Sequence, residues 1–228
     1  MSLAEKLVAI VFPSGDLARF TRFEDSLHAL TQPPGNVAIC RASGSDISAN
    51  MNNAIGQAIE QFDPGSFWIL ADDHDFQADI LVRLLAHERD VVSPLVMSRK
   101  PEFLPIVYRR DPDPETGLFQ QFFAESLPGG GLVVSGEDGA PELYTSVAGM
   151  LVSRRAMDAI GPPWFESGKM QKGYLNEDFW FVEKLHRAGY KPALDLDTHM
   201  GHCSTVSVWP KRGTGRWDID LRFGSWTA

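Results

Sequence analysis

Phe67-Trp68-Ile69-Leu70-Ala71-Asp72-Asp73-His74-Asp75-Phe76 is an apolar, strand-like run that ends in four consecutive side chains able to bind a metal. If strand geometry continues through the acidic part, its period of two places Asp72 and His74 on one side and Asp73 on the other. An Asp-x-His pair is able to grip a divalent ion. In α/β proteins ligands bind beyond the carboxyl ends of the strands, so a charged cluster at that end of a buried strand is where chemistry is expected.

Working outward toward the N-terminus, Leu7 to Phe12 reads as a first buried strand, stopped by Pro13, Ser14 and Gly15. A helix follows through Phe20, Phe23, Leu27 and Leu30, and Pro33-Pro34-Gly35 breaks it before a second strand, Asn36 to Cys40. From about Asp46, Ile47, Met51, Ile55, Ala58, Ile59 and Phe62 recur at helical spacing, an amphipathic stripe that Asp63-Pro64-Gly65 ends. The first third is therefore β-α-β-α-β, the pattern of a parallel sheet covered by helices. Working toward the C-terminus, Ile80 to Leu85 predicts a helix and Asp90 to Met97 a fourth strand. Arg99 to Pro141 is dense in Pro and Gly and reads as a mobile flap with a small hairpin. Tyr144 to Ser153 returns to the sheet, Arg154 to Ile160 is a short helix, and a last helix runs from Asn176 to Gly189. Pro192 to Leu196 is a final short strand that leads into Asp197-Thr198-His199-Met200-Gly201-His202-Cys203.

At 228 residues the chain is long enough for one full-sized core with an inserted flap. A formal charge of -9 argues against a general nucleic-acid binder, which needs clustered Lys and Arg against phosphates. Only Cys40 and Cys203 are present, so no disulfide framework is implied and a reducing compartment fits. Met1 to Lys6 and the short apolar stretch after it do not make a signal peptide or a membrane span, and a cytoplasmic location is expected.

Each candidate group has an ordinary reading beside the functional one. Asp72 to Asp75 could be a solvated turn, and a lone His202 or His199 is more often surface or core than ligand. Together they offer ligands from distant segments, as metal sites commonly do, and mixed carboxylate and imidazole donors favour Mn²⁺ over Mg²⁺. Glu177 and Asp178 follow Asn176, where a helix N-cap and the dipole already favour acids; one of them could equally take a proton from an acceptor hydroxyl. Trp164, Phe165, Trp180 and Trp209 read as core or as platforms under a ring. Gly129-Gly130-Gly131 lacks the Lys-Ser/Thr of a phosphate loop and reads as flexibility only. Lys211, Arg212 and Arg216 form the one local basic stretch, a solvated tail or a clasp over a diphosphate.

The order of these motifs resembles the GT-A type nucleotide-sugar-dependent glycosyltransferases. The resemblance runs from Leu7 to Val208, through Asp72-Asp73-His74, Gly149-Met150-Leu151-Val152-Ser153-Arg154-Arg155, Gly161-Pro162-Pro163-Trp164-Phe165, Asn176-Glu177-Asp178 and Asp197 to His202. It implies a single Rossmann-like α/β domain with a mostly parallel sheet. Residues 1–98 would be a nucleotide-binding half, 99–143 the flap, 144–208 an acceptor and catalytic half, and 209–228 a tail. It further implies a Mn²⁺ or Mg²⁺ ion on Asp72, His74 and His202, with Asp73 as second choice if the register shifts by one. His74 stands where the family's usual motif has a second Asp. Asp178, or else Glu177, would be the base of an inverting transfer. Pro13, Ser14, Arg41, Ser43 and Asn52 would border the nucleotide, and Lys211 or Arg212 the diphosphate. The donor would be a nucleotide-diphosphate sugar and the acceptor an unidentified hydroxyl. The rivals are a metal-dependent phosphoesterase, which normally needs more carboxylates for two ions, and a sugar-nucleotide-binding protein without turnover.

Overall fold

In the computed structural model, residues 2–14, 20–99, 102–110, 119–169, 174–204, 206–213 and 217–223 are described. β1 (Val8–Ser14), α1 (Thr21–His28), β2 (Val37–Ser43), α2 (Ile47–Phe62) and β3 (Ser66–Ile69) follow the expected β-α-β-α-β order. α2 begins where the Asp46 side chain accepts from the Ala49 N–H at 2.9 Å and ends at Asp63, whose φ of 45° is left-handed. Pro64 then prevents continuation. The middle of the chain comprises β4 (His74–Phe76), α3 (Ile80–Ala86), β5 (Val91–Val96), β6 (Val107–Arg110), β7 (Phe119–Gln121), β8 (Leu132–Val134), β9 (Leu143–Thr145) and β10 (Leu151–Ser153). α4 (Arg154–Ile160), β11 (Gly168–Lys169), β12 (Tyr174–Leu175), α5 (Glu177–Arg187), β13 (Ala193–His202), β14 (Val206–Arg212) and β15 (Trp217–Phe223) complete it.

The main sheet runs β15-β14-β13-β5-β10-β3-β1-β2, with β4 and β8 also paired to β13. β1 is parallel to β2 and β3, and β5 is parallel to β13, but β10 lies antiparallel between β3 and β5, and β14, β15, β4 and β8 all pair antiparallel. The sheet is thus mixed rather than mostly parallel. An apolar run reports burial on both faces, which a central strand has whichever way it points.

Alternation along β1 divides the core. Ala9 and Val11 join Phe67 and Ile69 of β3 against α2, α4 and α5, through Met51, Ile55, Met157, Phe181 and Leu185. Val8, Ile10 and Phe12 join Trp68 against α1 and α3, through Phe23, Leu81 and Leu84. Trp68 is fully buried, and its indole N–H donates to the Gly149 carbonyl at 2.9 Å, so the apolar area is gained without stranding a donor.

Two expected segments differ. In the 99–143 flap, β6 and β7 build a separate three-stranded sheet with β9 at the flap's end, while β8 joins the main sheet with Val133 opposite Leu194. In the glycine run before β8 the middle residue is closely packed, since a Cβ on Gly130 would collide with the Arg212 guanidinium, and the Gly131 N–H donates to Asp197 at 2.8 Å. The expected 209–228 tail carries the end of β14 and all of β15, a hairpin with Trp209 opposite Asp220. Short, Pro- and Gly-interrupted strands carry too weak a period to be read locally. No helix among the described residues is long and apolar enough to cross a membrane.

Candidate metal and acid-base site

At the carboxyl ends of β1 and β3 lies a cleft of about 410 Å³. Pro13 and Ser14 border it from β1, Ile69 to His74 from the chain after β3, and Ile47, Asn50 and Met51 from the start of α2. Ser146 to Ala148, Phe165, Glu177, Asp178 and His202 are also in its wall.

The chain does not stay extended after β3. Asp72 and Asp73 form a turn, as adjacent short carboxylates favour, and His74 opens β4 in a new direction. The period-of-two assignment therefore fails at that turn. β4 pairs antiparallel with the end of β13 so that His74 stands directly opposite His202, and the two rings stack with centroids 4.4 Å apart. The Cys203 N–H, donating to the Asp73 carbonyl at 2.6 Å, closes the arrangement. β13, expected to stop at Leu196, extends to His202 through a register shift between Asp195 and His199.

Asp73, His74 and His202 each bring a ligand atom within 4.8 Å of the others. Asp73 thus holds the position expected of Asp72, which lines the cleft beside it. Asp73 Oδ1 is 2.8 Å from His74 Nδ1 but off the N–H direction, so neither nitrogen of the buried His74 ring has a hydrogen-bond partner. Asp73 Oδ2 is 3.3 Å from His202 Nε2, and His202 Nδ1 is also unpartnered. Close, off-axis donor atoms are what ligands of a common ion present, since neighbouring ligands of a six-coordinate ion are roughly 3 Å apart. Burial alone would raise the Asp73 carboxyl, but the His202 contact and the closeness of both imidazoles outweigh it and hold the group well below the usual range. Burial pushes the His202 imidazole down despite Asp73, which favours the neutral, lone-pair form a metal needs. The residues present fit a single divalent ion with mixed oxygen and nitrogen donors.

Asn176 caps α5, its side chain accepting from the Phe179 N–H at 3.1 Å, and so presents Glu177 and Asp178 to the cleft. Asp178 is open to cleft water at its own surface while protein crowds it at longer range. That crowding, then the Glu177 charge, pushes its carboxyl up to about 6, against a smaller opposing effect of His74.

The other expected residues divide. Pro13 and Ser14 line the cleft as anticipated. Arg41 and Ser43 are exposed near the end of β2 and do not line it. Asn52 is a structural clamp: its amide donates to the Phe165 carbonyl at 2.7 Å and accepts from the Phe165 N–H at 3.0 Å. Asn50, two residues earlier, is the cleft residue, buried and donating to the Gly44 carbonyl at 3.0 Å. Its phase with Ile47, Met51 and Ala54 was the available signal. Arg212 is paired with Asp197 and lies over the Trp217 ring; with Lys211, exposed opposite Asp218, it stays out of the cleft wall. Arg216, like Gly15, lies outside the described residues. His199 contacts the Leu196 carbonyl at 3.0 Å and Trp217 edge-on, away from the site. Asp75 is buried on the other side of β4, 3.5 Å from Arg22 and within reach of the Cys203 thiol. Trp164, Phe165 and Trp209 are buried core residues, Phe165 also touching the cleft. Sequence reading missed Arg99, whose Nη1 donates to Asp73 Oδ2 at 2.8 Å and to the Cys203 carbonyl at 2.9 Å.

No family model matches the sequence, and no match is found among curated proteins. Among solved structures the fold is similar to that of A197 from STIV, with a TM-score of 0.58 at 13% identity, covering 95% of this chain and 94% of that one. At that identity the likeness is one of fold alone.

Proposed function

We propose that the protein is a metal-dependent glycosyltransferase that moves a sugar from a nucleotide-diphosphate donor to an acceptor hydroxyl. The observation that carries this is the joining, in one cleft, of Asp73, His74 and His202 with unpartnered ring nitrogens and of Asp178 with its raised carboxyl. The GT-A resemblance and the α/β fold support it.

Asp73, His74 and His202 would hold Mn²⁺ or Mg²⁺. When bound, such an ion supplies a Lewis acid for the charge that develops on the departing diphosphate. Asn50, Met51 and Ile47 offer the donor's nucleotide a half-apolar wall, and Pro13 and Ser14 border it. Asp178, ionised above about pH 6, takes the acceptor proton in an inverting transfer, and its fixed place at the start of α5 keeps it aimed into the cleft. Glu177 beside it favours the protonated form of Asp178 at lower pH. Among the described residues there is a single metal-competent trio, which favours this reading over a two-ion phosphoesterase. Buried Cys40 and Cys203, both free thiols, suit a reducing compartment such as the cytoplasm.

The test is thermal unfolding with Mn²⁺ and a panel of nucleotide-diphosphate sugars, with and without EDTA. A ligand at about 100 times its Kd adds about 2.7 kcal/mol to stability. Metal-dependent stabilisation by at least one donor is expected; no shift with any donor would overturn the assignment.

A further inference from the structure

The described residues in the cleft wall include Asp72, Asp73, Glu177 and Asp178 and no Lys or Arg. A diphosphate entering such a wall meets net negative charge, and a single divalent ion neutralises only part of the combined charge of donor and carboxylates. Among the described residues, the guanidinium that touches the trio is that of Arg99. It spends Nη1 on Asp73 and the Cys203 carbonyl, and its Nε and Nη2 N–H groups have no partner among the described residues. Its side chain is 41% exposed, so the free edge of the fork is accessible to an incoming anion.

Asp73 Oδ2 is therefore shared. It faces His202 at 3.3 Å and Arg99 at 2.8 Å, so an ion that takes this oxygen competes with Arg99 for it. We infer, on the strength of the metal and diphosphate reading just proposed, that Arg99 is the site's resident counter-cation. It occupies Asp73 while the cleft is empty and transfers its hydrogen bonds to the donor diphosphate when ion and donor arrive. Two consequences follow by linkage. Metal alone binds more weakly than the trio permits, because it must displace a cation. A diphosphate that draws Arg99 away strengthens metal binding, and metal strengthens diphosphate binding by the same factor. Arg99 thereby does the work that the basic stretch Lys211 and Arg212 was expected to do.

The experiment titrates Mn²⁺ into wild type, Arg99→Gln and Arg99→Lys, following free Mn²⁺ by electron paramagnetic resonance, and repeats the titration with inorganic pyrophosphate. Circular dichroism of each variant checks its fold. Arg99→Gln is expected to bind Mn²⁺ alone at least about threefold tighter than wild type, and pyrophosphate with Mn²⁺ at least about tenfold weaker, the size of one charge-assisted contact. Arg99→Lys keeps the positive charge but not the fork: Mn²⁺ binding stays near wild type while pyrophosphate binding falls. If wild type binds Mn²⁺ and Arg99→Gln binds it equally or more weakly, the role of Arg99 is overturned and the metal reading stands. If no protein binds Mn²⁺, both fall. Binding of Mn²⁺ by Arg99→Gln but not by wild type supports the inference in its strongest form.

Discussion

Two histidine-carboxylate clusters involve β13, one at each side of its register shift, and they differ in how their polar atoms are spent. At Asp195, Oδ2 accepts from Thr198 Oγ1 at 2.6 Å and meets His87 Nε2 at 2.8 Å, and Oδ1 accepts from the Asp197 N–H at 2.9 Å. Burial would raise that carboxyl, but these partners together hold it below its ordinary value. At His202, the Asp73 oxygens are close to two imidazoles, yet both nitrogens of His74 and one of His202 have no hydrogen-bond partner. The residue types are the same. A buried polar group without a partner costs about 1–3 kcal/mol, so three such atoms in one cluster support the ion proposed there. The Asp195 cluster is already complete and pins the shift that carries β13 on to His202.

Substitutions test that contrast, beginning with the largest effect. Asp73→Asn should abolish stabilisation by Mn²⁺ and lower transfer by more than about a thousandfold, because even outer partners of metal ligands are worth 10–100-fold. The melting temperature without metal should change little, and a large drop there would mean that Asp73 is as structural as Asp195. The opposite profile is expected for Asp195→Ala: a loss of about 2–4 kcal/mol in urea unfolding, from stranding the Thr198 hydroxyl, His87 and the Asp197 N–H. A loss below about 0.5 kcal/mol would end its role as a structural pin.

A smaller effect separates the acid-base group from both clusters. Carbon-13 NMR of the Asp178 carboxyl in the metal-free protein should titrate with a midpoint of about 6, and Mg²⁺ should move the midpoint down. Since this value is raised above that of an unfolded aspartate, the folded state holds the extra proton between about pH 4 and pH 6, and the group's contribution to stability falls as pH rises through that window. As the proposed base it would act only above the midpoint, so transfer is expected to fall about tenfold per pH unit below it. A metal-free midpoint near 4 would remove the crowding on which the assignment of Asp178 depends. The smallest effect is Asn52→Ala, which should cost about 1–2 kcal/mol of stability through its two bonds to Phe165. Metal affinity should stay within about twofold; a larger change would put Asn52 back in the cleft.

Much of this was legible in the chain. The five opening elements, the stop signals at Pro33-Pro34-Gly35 and Asp63-Pro64-Gly65, and the cap at Asn176 are local events, set by backbone sterics and by a period that a few neighbouring residues display. The same reading marked His74, His202, Glu177 and Asp178 as candidates, because residues at the ends of buried strands and at helix starts converge on one edge of the sheet, and the GT-A resemblance added Pro13 and Ser14; all six line the cleft. It failed where the answer depended on a partner far along the chain. The turn at Asp72-Asp73 exchanged one carboxylate for the other, the β4 to β13 pairing set His74 opposite His202, and Arg99 reached Asp73 across 26 residues. The direction of β10 and the pairing of β8, β14 and β15 were likewise settled by neighbours. Sequence alone determined which residue types would meet at the carboxyl edge of an α/β sheet, since that follows from local periodicity. Only the tertiary structure decided which atoms are left unpartnered there, since hydrogen-bond satisfaction depends on groups that the chain brings together by folding.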